Sequence, residues 1–453
     1  MNRVNGLFVL SLVLVAGSFF TVKPVSAEGA YAAPIPGPRT CFFARGPHGA
    51  DPYINVAYPD AAAYYWSAVF STPKGATLKL KGDFAYARYQ SLISYDGRGR
   101  PIEAVADYLI EPAPGSANPY VAGAQRRGEN RSYALEIIAS APETRLNEGE
   151  RLDNQTRSFF YAPPYGPGQQ SILYRIYVPD DGLDVTGGVP LPEPVLTLAS
   201  GKELTGDAAC KALKVDQALA LTPDAVGIPP GLYRKLLTQA DKPDTWPAQN
   251  PPQWFVQMDR ESLIGIYTGE LTENPRRSEG GFYPNPDNNY VRTIVNRKHG
   301  KVFVLQGKMP VISATSQRNP IMNYGELRYW SMCSNQGLAN TRVNDCLYDE
   351  QVPLDENRRY TIMISRAEDR PRNAIAECGI AWLPMADDGD GLMDDDVTVV
   401  QIRNMLADAN FKHAVQRVEK IGDERAVMGP YLPRAYYMMP NMVESLFTCK
   451  ARS

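Results

Sequence analysis

Apolar and polar residues alternate along most of this chain in short runs. In "SYALEII" Tyr133, Leu135 and Ile137 alternate with Ala134 and Glu136, and in "RYTIMIS" Tyr360, Ile362 and Ile364 alternate with Thr361, Met363 and Ser365. A period of two, rich in β-branched and aromatic residues, predicts strands with one face on a core. "TPKGAT" and "RKHGKV" place Gly75 and Gly300 between apolar runs, which predicts hairpin turns using a residue free to take positive φ. Short strands at this spacing predict β-sandwich or jelly-roll packing. Helical spacing is confined to "DAACKALKVDQALAL", "PPGLYRKLLTQA" and a short segment at 410–420. "DKPDTWPAQNPPQW" reads as a linker or packed strap, and "MGPYLPRAYYMMP" as irregular chain.

The pattern is stated twice. "YPDAAAYYWSAVFSTPKGATLKLKG" (58–82) aligns without a gap to "YPNPDNNYVRTIVNRKHGKVFVLQG" (283–307). Six of the 25 pairs are identical: Tyr58/Tyr283, Pro59/Pro284, Tyr65/Tyr290, Gly75/Gly300, Leu80/Leu305 and Gly82/Gly307. Composition alone gives roughly one or two. Further matches follow in order: "RYQS" with "RYWS", "ENRSYALEI" with "ENRRYTIMI", Asn147 with Asn373, and "LYRIYVPD" with "QIRNMLAD". Ordered matches separated by insertions imply an internal duplication. The expected fold is mainly β: two tandem β-sandwich or jelly-roll-like domains, with short helices in the connecting segment and near the C-terminus. The boundary is placed near Asp241, giving a first copy with its helical connector at 28–240 and a second at 241–453.

"YTIMISRAEDRPRNAIAECGIAWLPM", followed by "VTVVQIRNML" and preceded by "ELRYWSMC", resembles the C-terminal part of the bacterial domain of unknown function numbered twelve-fourteen. "YPNPDNNYV" is similar to the Pro-Asn-x-Asp-x-x-Tyr element of its partner domain, number twelve-fifty-four. The resemblance covers about a third of the chain, and Ile380-Ala381-Trp382 departs from the usual Asn before Trp. It implies a β-sandwich protein of the cell envelope and carries no catalytic residues with it.

The first 27 residues fit a secretory signal peptide: Arg3, an apolar run at 7–20, and small Ser26 and Ala27 before the expected cleavage. That run has 14 residues, fewer than the ~20 that span a bilayer, so no transmembrane segment is expected after cleavage; an uncleaved anchor is the competing reading. A secreted or periplasmic location follows. Cleavage removes Arg3 and Lys23 but no acid, taking the formal charge from −3 to −5, which disfavours nucleic acid as a partner. All six cysteines (Cys41, Cys210, Cys333, Cys346, Cys378, Cys449) lie beyond the signal. An even number in an exported chain predicts disulfides. Their order suggests Cys41–Cys210 around the first copy, a local Cys333–Cys346 bond, and Cys378–Cys449 across the second. His48, His299 and His413 are scattered, without zinc spacing.

No nucleophile-elbow, phosphate-loop or dinucleotide glycine pattern is present. "STPK" matches Ser-x-x-Lys only formally, since the second copy has Asn296 and His299 at those places. "DDGDGLMDDD" brings Asp388, Asp390, Asp394 and Asp396 into one loop, a candidate calcium site weighed against a solvated acidic loop. No other cofactor is expected. Arg88/Arg328 and Arg175/Arg403 fall inside strands, where a cation needs a carboxylate or a ligand. Asp180/Asp408 or Glu129/Glu356, within the same copy, are the expected partners. Tyr64, Tyr65 and Trp66, with Arg328 and Trp330, are candidates for stacking on a sugar or an apolar ligand, and Tyr86, Tyr89, Tyr431, Tyr436 and Tyr437 extend the aromatic set.

Three functions stay open at this point. The first is an exported, non-catalytic protein binding a small ligand, glycan or envelope partner. The second is an exported hydrolase or lyase acting on a polysaccharide or similar polymer, with Arg88, Tyr89, Asp96 and Asp107 as the catalytic candidates. The third is a structural or assembly factor of the envelope.

Overall fold

The computed structural model describes residues 42–143, 156–215, 227–270, 275–278, 283–323 and 325–449. The expected signal peptide and Cys41 lie outside them, and Cys41 takes the expected Cys41–Cys210 bond with it. In chain order the first half contains β1 (Arg45–His48), β2 (Ala63–Phe70), β3 (Thr77–Asp83), β4 (Ala87–Tyr95), β5 (Pro101–Ala106), β6 (Ser132–Ile138), β7 (Phe159–Tyr161), β8 (Gln170–Pro179), β9 (Glu193–Thr197) and β10 (Glu203–Leu204). Helices α1 (Gly206–Leu213) and α2 (Pro230–Leu237) follow. The second half contains β11 (Phe255–Val256), α3 (Arg260–Thr268), β12 (Asn288–Asn296), β13 (Val302–Lys308), β14 (Tyr329–Asn335), β15 (Val343–Tyr348), β16 (Arg359–Ser365), β17 (Ile380–Pro384), β18 (Val397–Met405), α4 (Glu424–Met428), β19 (Arg434–Met438) and α5 (Pro440–Leu446).

The strands form four open sheets with orders β1-β2-β8-β4-β5, β10-β9-β3-β6-β7, β11-β12-β18-β14-β15 and β17-β16-β13-β19. The protein is mainly β, and the two halves have matching topology, down to a parallel pair at the same place in each (β6 with β7, β16 with β17). The same residue pairs serve the same contacts. Gly82 lies opposite Tyr133 and Gly307 opposite Tyr360 in register. A Cβ on Gly82 would stand 2.9 Å from the Tyr133 hydroxyl, and one on Gly307 2.5 Å from that of Tyr360. Each glycine is small so that the neighbouring ring can cross it.

Burial separates the outer sheets from the inner ones. β3 and β6 alternate between buried and less buried positions, as half-solvated strands should. β4, β14 and β18 are buried at every position. Both faces of those strands are covered: one by the other sheet of their own sandwich, the other by the opposite sandwich. In the second sandwich Val291, Met332 and Ile402 of one sheet share a core with Leu305, Ile362 and Leu383 of the other. In the first, Ser94 Oγ on β4 donates to the Tyr161 carbonyl at 2.7 Å, tying the two sheets together.

Several expectations are corrected. Gly75 takes φ +74°, but β2 and β3 belong to different sheets, so its turn is an arch over the sandwich edge and not a hairpin. Gly300 is extended; a Cβ there would meet the Met438 backbone nitrogen at 2.8 Å, so it admits the close approach of β19. The segment 410–420 holds only a single 3-10 turn, Val415–Arg417, because the Val415 N–H is taken by Asn404 Oδ1 at 3.1 Å and not by a carbonyl four residues back. The tail expected to be irregular supplies β19, which pairs with β13. The Pro-rich segment is a packed strap: Trp246 donates to the Tyr267 carbonyl and Trp254 is buried. Of the two connector helices, α1 binds the first sandwich, where Ser71 N donates to Leu213 O at 3.0 Å. α2 packs through Tyr233 and Leu236 beside Tyr267 and Leu338 of the second. Cys333 and Cys346, directly opposite on β14 and β15, form one disulfide, and Cys378 and Cys449 another.

Candidate functional site

The two inner sheets meet through buried polar side chains that exchange partners reciprocally. Arg88 Nη1 donates to the Arg328 carbonyl at 3.4 Å, and Arg328 Nη1 to the Arg88 carbonyl at 3.3 Å. Arg88 pairs with Asp349 at 3.0 Å and also with Glu350, while Arg328 pairs with Asp107 at 3.2 Å. Tyr89 donates to Asp287 at 2.5 Å, and Tyr329 to Asp60 at 2.9 Å. The expectation of ion pairs inside each copy is therefore corrected. Asp180 is taken by Arg126, and Asp408, Glu129 and Glu356 are exposed. The outward face of each inner sheet looks at the other sandwich instead of water, so the carboxylates in reach belong to the other half.

At one end of this interface the sandwiches part around a cavity of ≈ 100 Å³ that opens to solvent. Four pairs of identical repeat-equivalent residues line it: Tyr58/Tyr283, Pro59/Pro284, Tyr65/Tyr290 and Arg175/Arg403. Arg175 Nη2 donates to the Tyr283 carbonyl at 2.8 Å, and Arg403 Nη2 to the Tyr58 carbonyl at 2.7 Å. Both carbonyls follow tyrosines in the left-handed region, at φ 49° and 52°, a conformation that only close packing sustains in so bulky a residue. Each guanidinium lies over the tyrosine opposite it in register, Arg175 at 5.3 Å from the Tyr65 ring centre and Arg403 at 5.5 Å from that of Tyr290. Leu173, Ile228, Met258, Leu263 and Leu338 make the apolar wall.

The symmetry breaks at two nearby aligned positions, Asp60/Asn285 and Ala62/Asp287, and the Tyr89 hydroxyl goes to Asp287 where that of Tyr329 goes to Asp60. Asp60 Oδ1 accepts from Ala62 N at 3.0 Å, and its repeat-equivalent Asn285 accepts in the same way from Asp287 N at 3.0 Å. Arg403 therefore has a carboxylate at 3.1 Å, Asp60, whereas the equivalent place near Arg175 holds a neutral amide. Arg175 is 4% exposed, is in no ion pair, and its Nη1 has no hydrogen-bond partner among the described residues. Besides Gln401 Nε2, two more cavity residues hold polar atoms without a partner among the described residues: both ring nitrogens of buried His48, and Gln257 Oε1. They sit at matching places, His48 opposite Tyr65 in register and Gln257 bonded through its N–H to the Tyr290 carbonyl at 3.0 Å. Burial, then the charges of Arg45 and Arg175, push the His48 pKa down to about 4. Burial pushes the Tyr65 and Tyr283 phenols up to about 12. At neutral pH the cavity thus offers neutral hydrogen-bonding groups around the Arg175 guanidinium, with half-buried Arg292 over the Tyr58 ring at 5.1 Å.

Among the sequence candidates for ligand binding, Tyr65 lines this cavity. Trp66 and Trp330 are fully buried, packed on Tyr174 and Tyr360. Tyr64 lies edge-on to Tyr53, and Arg328 belongs to the inter-sandwich pairs above. The catalytic candidates do not converge. Arg88, Tyr89 and Asp107 are engaged as described, and Asp96 closes a turn with Arg98 and Arg100. Asp107 accepts from the backbone of Gln90 at the opposite end of β4 from Asp96, about 20 Å away at ~3.4 Å per residue.

The acidic loop does not gather its carboxylates. Asp390 accepts from Leu392 N and Met393 N, Asp394 from Asp396 N, Asp388 from Gln336, and Asp396 pairs with Arg297 at 2.8 Å. Among the described residues, the group of three ligand atoms within 4.8 Å is Asp60 with Cys333 and Cys346, whose sulfurs are bonded to each other. His48 and Gln257 were invisible as site residues in the sequence. The repeated Tyr-Pro, Tyr and Arg positions were visible, and what they had in common was the cavity.

No family model matches the chain, and neither does any curated protein. Among solved structures it is similar to an uncharacterised protein from Burkholderia cenocepacia, at 11% identity over 86% of this chain and 79% of that one, with a TM-score of 0.44. It is also similar to the VPA0106 protein from Vibrio parahaemolyticus, at 12% identity over 84% and 90%, with a TM-score of 0.40.

Proposed function

We propose that this chain is an exported binding protein that takes a small ligand into the cavity between its two sandwiches. The observation carrying this reading is the convergence of four repeat-equivalent pairs, three of them identities of the opening repeat, on one cavity lined also by unpartnered buried polar atoms. A concave, largely apolar pocket with a few convergent polar groups is the usual form of a small-molecule site. Duplication of a single sandwich, a cleaved signal peptide at 1–27, a boundary near Asp241 and kinship with the envelope domains of unknown function belong to the same reading. Two disulfides and the lack, among the described residues, of a helix long and apolar enough to cross a membrane are compatible with it.

The test is a thermal-shift screen of a broad metabolite library against the mature protein and two cavity-filling variants, Ile228→Trp and Leu263→Trp. Compounds that raise the melting temperature of the parent should leave the filled variants unmoved, while both variants keep cooperative unfolding. Shifts shared by the parent and the variants, or no shift in the parent, would reject the site.

A further inference from the structure

We propose that the ligand is a small organic carboxylate whose head group binds Arg175 and supplies the counter-charge that Asp60 supplies to Arg403. This rests on the cavity being the binding site and names the chemistry that site selects.

The argument compares two places in one molecule. Arg175 and Arg403 occupy equivalent strand positions, donate to equivalent tyrosine carbonyls and stand over equivalent rings. The protein neutralises one of them with a buried carboxylate, Asp60, that pairs with Arg403 and accepts from Tyr329, Ser331 and the Ala62 N–H. At the other it keeps the same local turn but carries Asn285 in place of the acid, and the buried carboxylate two residues on, Asp287, takes the Tyr89 hydroxyl and forms no ion pair with Arg175 among the described residues. A guanidinium does not deprotonate in a protein, so it cannot escape burial by losing its charge. A buried charge without a partner is costly enough to be retained only where something completes it. Arg175 lines the cavity, and its Nη1, itself shielded from solvent, has no hydrogen-bond partner among the described residues, so completion from the cavity requires a small shift of the side chain.

A carboxylate matches the site in shape and charge. Its two oxygens fit the planar fork of a guanidinium, where they form paired charge-assisted hydrogen bonds. His48, neutral and with neither ring nitrogen bonded, is available to donate to the same head group. The body of the ligand then lies among Tyr58, Tyr283, Leu338, Ile228 and Met258, none of which carries charge. The pale counterpart of this head-group site, Asp60 on Arg403, is already filled by the protein itself. A dianion such as phosphate would bring a second charge to a head-group position where Arg175 is the fully buried cation without a carboxylate.

The experiment uses the mature protein in a carboxylate-free, low-phosphate buffer. Benzoate, octanoate and glucuronate are titrated calorimetrically beside benzamide, octanamide, glucose and inorganic phosphate. At least one carboxylate should bind, with its neutral analogue and phosphate at least ~30-fold weaker, the ratio expected for truncating one partner of a buried charge pair. Arg175→Gln should lose the same factor. Asn285→Asp supplies the missing carboxylate internally, so it should raise the melting temperature of the empty protein and abolish carboxylate binding. That second variant guards against a merely unfolded first. Equal binding of acid and amide, blocked by Ile228→Trp, would overturn the carboxylate and leave the cavity as the site. Phosphate binding as tightly as the best carboxylate, or unchanged binding by Asn285→Asp, would also overturn it. No binding by any probe would overturn the inference, and an empty thermal-shift screen alongside would remove the site as well.

Discussion

Substituting Asp60 by Asn tests the claim that the sandwiches are held together by charges exchanged between halves. Asp60 is fully buried, accepts three hydrogen bonds, from Tyr329 at 2.9 Å, Ser331 at 2.7 Å and Ala62 N at 3.0 Å, and forms an ion pair with Arg403 at 3.1 Å. An asparagine keeps the volume. Its Oδ1 still accepts from Tyr329 and Ala62, but its NH₂ now faces Ser331 and Arg403, so the Ser331 bond must reverse and the ion pair is lost. Arg403, 2% exposed on its side chain, is left charged and buried. Breaking such a pair costs about 3 to 5 kcal/mol, a large share of the ~5–15 kcal/mol that holds a domain together. With a urea dependence of about 3 kcal/mol per M, the unfolding midpoint should fall by about 1 M. Asp408→Asn is the control, because the sequence pairs Asp408 with Arg403 and the structure leaves it exposed; it should change stability by less than about 0.5 kcal/mol. Urea titrations followed by tryptophan fluorescence and far-UV circular dichroism decide the matter. A cost below about 1 kcal/mol for Asp60→Asn, or an equal cost for Asp408→Asn, would refute the reasoning.

His48 and the crossing glycines yield two further tests. The folded-state pKa of His48 is lowered, so the folded protein excludes a proton that the unfolded chain binds; stability is lost as pH falls from 6.5 toward about 4. The loss reaches about 3 kcal/mol at its limit, and a His48→Gln variant, compared with its parent in urea from pH 7 to pH 4.5, should lack that component of the slope. If the two slopes coincide, His48 is not held neutral by its surroundings. Gly307→Ala brings a methyl group to 2.5 Å from the Tyr360 hydroxyl and 2.7 Å from its ring carbon, and should cost about 1 to 3 kcal/mol from overpacking. Tyr360→Leu in the same chain should cost less than the two single changes added together. Strict additivity would mean that the two positions do not interact.

The periodicities around Tyr133 and Tyr360, the repeat of Tyr58, Pro59, Tyr65, Gly82 and Leu80, and the cysteine order are local properties, and they determined much by themselves. From them follow a mainly β chain, two halves of matching topology and the two disulfides of the second half, since strand period and cross-strand neighbours are set by residues close in sequence or matched between the two halves. What each strand faces is a property of the assembled molecule. Arg88 and Arg403 needed carboxylates, as burial of a cation requires, yet sequence placed those carboxylates within the same copy because it could not see that the outer face of each inner sheet meets the other sandwich. The same ignorance put Trp66 and Trp330 in a binding site and left out His48 and Gln257, which become site residues only when two sheets part around a cavity. The difference between Asp60 and Asn285 was on the page from the start, a single substitution in an aligned pair. Only the tertiary structure, by setting Arg175 and Arg403 in equivalent surroundings, turned it into a missing charge.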